Sequence, residues 1–302
     1  AIIEDKEEIK EREVKFREAL RPYIEDLDGI WHGFIEELLT MYKQLKKVDL
    51  DTASNIELKE HFEDTVNMYR RQWELHWLIL YPVDTCYALF EDLCSELLGI
   101  DDRNLEFQKL MTGFDNKSFQ IDKKQWEFAQ DAVKRGLGDI FLSNKPADVI
   151  SKLEESEAGR EWLKEFREFL DENGWRMQRM AEINEPTWLE DPTAPIINIQ
   201  AFLKKGGDFS LREIRRKATK EREKTEKQIL KRIPEDQRDW FQTLMRLAQK
   251  SGSISEEHAI YCDLYANALV RRCCLGIGRR FVQAGAFDAV DDIFFLTADE
   301  IR

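Results

Sequence analysis

Arg176 and Arg179 stand three residues apart directly after Gly174 and Trp175, with Glu182 three further on. A guanidinium presents its donors as a planar fork that matches two oxygens at once, so the two arginines suit bidentate binding of an oxyanion. An Arg–Glu pair that ties down the chain after Gly174 fits the same residues. A second group gathers around His76: Trp73, His76, Trp77 and Tyr81 fall on one side of a helix at steps of three and four, and Trp31 and His32 cluster on another. Aromatic walls with one imidazole suit a planar hydroxyl compound, the ring held by stacking and the hydroxyl oriented or deprotonated by the imidazole. Such a stripe is also the ordinary make-up of a core. His76, Arg176 and Arg179 are therefore the catalytic candidates, and Trp31, His32, Trp73, Trp77, Tyr81, Trp175 and Glu182 the substrate-binding ones. Arg271, Arg272, Arg279 and Arg280 recur seven and eight apart on one helix, which suits a clamp on acidic residues such as Asp263 or contact with another domain.

These residues must be positioned by helices. Phe16, Leu20, Tyr23, Leu27, Ile30, Phe34 and Leu38 recur at helical steps, and alternating strand-like runs are almost absent. Breakers at 49–55, Pro82, 99–102, 113–116, 136–138, 144–146, Gly174, 186–195, Gly206 and Gly207, Pro234, Gly252 and Gly285 divide the chain into roughly ten helices, an all-α architecture. Ser54 and the stretch from Ser253 to Glu257 read as helix starts. Pro186, Pro192 and Pro195 make 184–198 the longest irregular segment, so one helical domain over 1–302 is expected, with possible lobes 1–183 and 199–302. Between Lys204 and Arg232 twelve basic residues interleave with five acidic ones, the pattern of a long solvated helix.

The chain holds 46 Lys and Arg against 60 Asp and Glu, a net charge of −14 that repels nucleic acid and anionic lipid. No apolar run could span a bilayer and the first residues are charged, so a cytoplasmic protein is expected. Five cysteines lack metal-ligand spacing and read as free, mostly buried thiols.

The stretch from Asp263 to Glu300 resembles the segment of phosphoenolpyruvate synthase and pyruvate phosphate dikinase-like phosphotransferases that precedes their mobile phosphohistidine domain. Phe169 to Pro192 is similar to the same family's Gly-aromatic-or-His-Arg and Pro-x-Trp-x-Glu-Asp-Pro pattern. Shorter matches at 75–82, 90–100, 111–117 and 154–163 extend the resemblance over most of the chain after Trp73. Together they look like the central helical, acceptor-binding region of such enzymes, with phenylphosphate synthase-like and rifampin phosphotransferase-like proteins as relatives. The resemblance implies that an ATP-grasp domain or subunit and a phosphohistidine domain or subunit act with this chain on a small hydroxyl or enol acceptor, with ATP and Mg on those parts. It carries Arg176 over best. The family often has His at the preceding position, and Trp175 there lacks that acid–base capacity.

The residues themselves agree that the phosphoryl donor lies elsewhere. None of the four histidines sits in the small-residue, Gly-rich turn a phosphocarrier needs, and Gly276-Ile277-Gly278 lies inside a helix with no preceding strand. No cofactor or metal is expected on this chain. The absent initiator Met and an end at the expected linker fit a piece of a longer polypeptide. An isoprenoid-synthase reading would need magnesium at Asp101-Asp102 and Asp291-Asp292, but acidic doublets more often cap helices. A di-iron bundle fails because no Glu-x-x-His occurs. The rival of a different class is a non-catalytic helical interaction module.

Overall fold

The computed structural model describes residues 6–177, 179–180, 182–207 and 209–302. Among them regular structure is helical, as expected: α1 (Lys6–Lys46), α2 (Asn55–Leu98), α3 (Leu105–Leu110), α4 (Lys117–Lys134), α5 (Gly138–Ser143), α6 (Pro146–Glu154), α7 (Glu157–Asn173), α8 (Thr193–Lys205), α9 (Leu211–Leu230), α10 (Arg238–His258), α11 (Tyr265–Gln283) and α12 (Ala298–Ile301). No helix among the described residues is long and apolar enough to cross a membrane.

Two expected breaks are absent. Helix α2 runs through Pro82, because Leu75, Ile79, Val83, Cys86, Phe90 and Cys94 form one buried stripe across it. That burial outweighs the roughly 3 kcal/mol a helix-interior proline costs. Helix α10 likewise continues through the exposed Gly252, held by the buried Ala248, Ser251 and Ile254, so it does not begin at Ser253. Other signals hold. Ser54 and Glu57 exchange bonds across the start of α2, with Ser54 N–H donating to Glu57 Oε2 at 2.7 Å and Glu57 N–H to Ser54 Oγ at 3.3 Å. Asp26 breaks α1 with non-helical backbone (φ −149°, ψ 66°), and its carboxylate accepts from Gly29 N–H at 2.9 Å to restart the helix.

The chain forms two compact units, each gathered from three stretches. The first comprises Ala1–Glu37, Leu75–Phe114 and Arg216–Ser255. Phe90 centres its core, stacked on Phe107 at 5.6 Å and edge-on to Phe241 at 5.4 Å. Gln249 fastens α10 inside this unit, donating to Leu110 O (3.1 Å) and Glu226 Oε1 (2.8 Å). In the basic helix α9 only Thr225 and Ile229 are buried, as a solvated helix requires. The second unit comprises Leu38–Glu74, Asp115–Arg215 and Glu256–Arg302, and so contains all of 184–198 with both its flanks. Its core is aromatic: Trp162 of α7 lies against Phe166 (5.0 Å), Phe141 (5.1 Å) and Phe128 (5.3 Å). The two acidic doublets cap turns: Asp101 accepts from Arg103 N–H, and Asp292 from Ala289 N–H.

All five thiols are free and buried. Burial raises Cys86 and Cys274 to about 11, Cys94 and Cys273 to about 12, and Cys262 further, from an ordinary 9.0. The folded chain thus keeps protons that the unfolded chain releases, so stability is constant below that ordinary value and falls above it. Each thiol removes up to about 1.4 kcal/mol per pH unit. Urea unfolding midpoints should drop steeply between about pH 9 and about pH 11. A flat profile would mean that the thiols ionise in the folded state.

Candidate functional site

Helix α7 ends where Gly174 N–H closes on Leu170 O (2.6 Å), and the chain then leaves helical geometry until Pro192. Prolines at 186 and 192 deny helix donors there. Arg179 and Glu182 therefore do not face each other across a helical turn. Instead the segment folds back on itself: Met177 bridges Thr187, and Trp188 N–H donates to Arg176 O at 3.0 Å. Each residue of the Pro-x-Trp-x-Glu-Asp-Pro stretch then has a physical task. Trp188 is buried under the Arg176 guanidinium, 4.4 Å from its ring. Glu190 accepts from the Thr187 N–H (3.0 Å) and hydroxyl (2.9 Å). Asp191 caps α8 by accepting from Thr193 N–H at 3.0 Å.

Arg271 of α11 locks this segment. Its Nε and Nη2 donate to Glu190 at 2.9 to 3.1 Å, and its Nη1 to Ile183 O at 3.0 Å. Burial alone would raise the Glu190 carboxyl, but the bonds from Arg271 and Thr187 outweigh it and hold the carboxyl below its ordinary value. The arginines of α11 do form a clamp, though its acidic partners are Glu190 and Asp51 rather than Asp263. Arg279 pairs with Asp51 at 2.9 Å, and Arg280 donates to Asp51 O and Ala53 O. Gly276 and Gly278 allow these contacts, since a Cβ on them would lie 2.9 Å from Leu50 and 2.5 Å from Val290 O.

Asp263 lies one turn before α11, in a six-residue π-turn, Ala259–Leu264. That winding sets residues five apart side by side and brings Asp263 Oδ2 within 3.7 Å of His258 Nε2, both buried. The Tyr42 hydroxyl donates to Tyr261 O in the same turn (2.6 Å), and Tyr42 lies 4.7 Å from Tyr265, the first residue of α11.

On Tyr265 the site is assembled. Trp175 stacks nearly parallel to it (5.8 Å, 17°) and donates its indole N–H to Asp171 O at 2.9 Å. The Lys46 ammonium donates to the Tyr265 hydroxyl (2.6 Å) and stands 5.0 Å from the Trp175 ring centre. Beside this stack opens a cavity of about 250 Å³. Trp175, Leu189 and Leu275 give it an apolar side, and Glu190, Arg272 and Arg279 a polar one. Arg272 donates to two main-chain oxygens at the end of α1, Leu45 O (3.2 Å) and Val48 O (2.6 Å). Burial lowers the pKa of Arg272, and burial and the nearby Arg272 lower that of Lys46. The arrangement can hold a flat ring on Trp175 with an oxygen-bearing group towards the guanidinium groups.

Of the catalytic and substrate-binding candidates selected from sequence, Trp175 alone lines this cavity, beside Arg272 and Arg279 of the arginine group on α11. Arg176 is largely buried, its pKa lowered by burial against the opposing pull of Asp122, and its Nε has no hydrogen-bond partner. Arg179 is exposed and 3.6 Å from Glu185, and Glu182 is exposed. Trp73 is half-buried, edge-on to Tyr69 at 6.1 Å. In the first unit Trp31 is core, and exposed His32 has Nδ1 2.7 Å from Asp28 O. Buried His76 packs edge-on to Trp77 (4.9 Å), which with Tyr81 (5.6 Å) forms a largely exposed aromatic pair. Lys46, Tyr265 and Leu275 were not singled out by sequence as site residues, because nothing in their spacing shows what they meet.

A family model described as the rifampicin phosphotransferase fourth domain matches residues 78–256, more than half of the chain. The chain belongs to that family. The matched span includes Trp175, Arg176 and Glu190, whereas Lys46 and the arginines of α11 lie outside it. The chain is also 29% identical over 270 residues to the uncharacterized phosphotransferase YvkC of Bacillus subtilis (strain 168), covering 87% of this chain and 32% of that protein. It is 28% identical over 235 residues to chondramide synthase cmdD of Chondromyces crocatus, covering 76% of this chain and 6% of that protein. It thus spans about a third or less of these relatives, and its family membership ties it to phosphotransferases.

Proposed function

We propose that this chain is the acceptor-binding helical region of a phosphohistidine-mediated phosphotransferase, with the ATP-binding and phosphohistidine parts supplied by other domains or subunits. The observation that carries the reading is the Trp175 cavity: a flat indole wall facing arginines, in a member of a phosphotransferase family. At about 250 Å³ it lies below the roughly 300–1,000 Å³ of pockets for drug-sized ligands, so the acceptor would be a single-ring hydroxyl or enol compound. Its main contribution would be to hold the hydroxyl for an incoming phosphoryl group. The roles of His76, Arg176 and Arg179 in orienting the hydroxyl and stabilising charge rest on residue type and resemblance.

Calorimetric titration with phenols, pyruvate and ATP tests the reading. Saturable binding of a ring hydroxyl compound is expected, weakened at least about tenfold by Trp175→Ala while the chain stays folded, the lost stack on Tyr265 lowering the melting temperature only modestly. Equal affinity in Trp175→Ala would move the acceptor elsewhere. Silence towards every compound would favour the interaction-module reading, to which the exposed basic face of α9 is suited.

A further inference from the structure

We propose that the Trp175 cavity is an oxyanion site that recognises a phosphoryl group through Arg272 and Arg279. The proposal deepens the acceptor reading above and rests on it for the identity of the oxyanion. In a chain of net charge −14, the cavity carries two guanidinium groups on its wall and the Lys46 ammonium behind its indole. The one carboxylate on the wall, Glu190, is already bonded to Arg271 and to Thr187. Neither Arg272 nor Lys46 forms an ion pair among the described residues: Arg272 bonds neutral main-chain oxygens and Lys46 a phenol hydroxyl. The nearest acids lie on the turn after α1. Asp51 is spent on Arg279, and Asp49, fully exposed and bonded to Thr52, acts on Arg272 only through space.

Two like charges half withdrawn from water without a carboxylate partner carry a cost that a bound anion would relieve. The lowered pKa values of both groups express that cost. Arginine suits a tetrahedral oxyanion better than lysine, because its fork meets two oxygens at once. The indole face beside it accepts a flat ring, so an aryl phosphate satisfies both halves of the cavity.

Titration of the chain with phenyl phosphate, inorganic phosphate and phenol decides the matter. Phenyl phosphate should bind at least about tenfold tighter than phenol, inorganic phosphate should compete with it, and binding should weaken as salt is raised. Arg272→Gln and Arg279→Gln should each remove most of that advantage, lowering phenyl phosphate affinity far more than phenol affinity. If Arg272→Gln does not fold, for lack of its bonds to the end of α1, Arg279→Gln carries the test, since its pair with Asp51 is at the surface. Phenol binding with no gain from phosphate would overturn the oxyanion site and leave the acceptor reading standing. Phosphate binding without phenol binding would do the reverse, and no binding of any probe would overturn both. Competition by phosphoramidate, a mimic of phosphohistidine, separates the sources: a tighter phosphoramidate means that the site meets the donor, a tighter phenyl phosphate that it meets the product.

Discussion

Glu190→Ala should destabilise the protein by about 3 kcal/mol, measured by urea unfolding. Removing one partner of a buried ion pair costs about 3–5 kcal/mol, because the other is left charged and dry. The low end applies because the Glu190 side chain keeps about a third of its surface in water while that of Arg271 keeps 7%. Arg271 would retain its bond to Ile183 O and its place over the Phe294 ring, but no carboxylate. The double substitution Arg271→Met with Glu190→Ala should recover much of the loss, since a Met leaves no buried charge, and a double-mutant cycle gives the coupling directly. The pH dependence has a defined sign. Glu190 ionises in the fold below its ordinary value of 4.5, so its stabilisation is complete above that value and is lost as pH falls through the lower folded one. Glu190→Ala should lose less stability in acid than the wild type, keeping only the share due to other lowered carboxylates such as Glu57 and Glu63. A loss well under about 1 kcal/mol would mean that water reaches Arg271 and that the pair is a surface one.

The helices were readable in the sequence wherever apolar spacing and caps agreed. Helices α4 to α7 end near the expected glycines and prolines, where local backbone preference and tertiary packing agree. Pro82 and Gly252 misled for the opposite reason, since each sits in a helix whose buried stripe outweighs a local cost of roughly 1 to 3 kcal/mol. The π-turn before α11 left no sequence signal, because it arises from fit against Tyr42 rather than from any residue's preference. The interleaving of the two units was equally hidden, since periodicity reports a helix's faces and never its neighbours.

The site was half readable. The motif from Gly174 to Pro192 marked Trp175, and the structure shows why its acid and aromatic positions matter: they fix a helix-free segment against α11. The spacing of Arg271 and Arg272 showed a shared helix but not their partners, which lie in segments 81 and more than 220 residues away. Lys46 was invisible for the same reason. It sits among other lysines at a helix end, and only the fold sets it against Trp175 and Tyr265. Sequence therefore singled out the indole and the arginines of α11 separately, and missed Lys46 and the cavity that Trp175, Arg272 and Arg279 share.

Trp162→Ala should remove about 3–5 kcal/mol of stability, the cost of emptying an aromatic core position. The ring is buried against Phe128, Phe141 and Phe166, and its indole N–H satisfies Phe128 O at 3.2 Å. Trp162→Phe keeps a ring and forfeits one hydrogen bond, so its loss should be smaller, on the order of 1–2 kcal/mol. The consequence for the site runs along α7. The face carrying Trp162, Phe166, Phe169 and Leu170 holds the helix down, and its last turn fixes Trp175 through Gly174 N–H to Leu170 O and the indole bond to Asp171 O. In Trp162→Ala the Gly174 amide should therefore exchange with solvent faster, in step with weaker binding of a ring ligand, while the amides of α11 keep their order of protection. If stability falls and the Gly174 amide stays as protected as in the wild type, then the stack on Tyr265, rather than the core beneath α7, is what holds the indole wall in place.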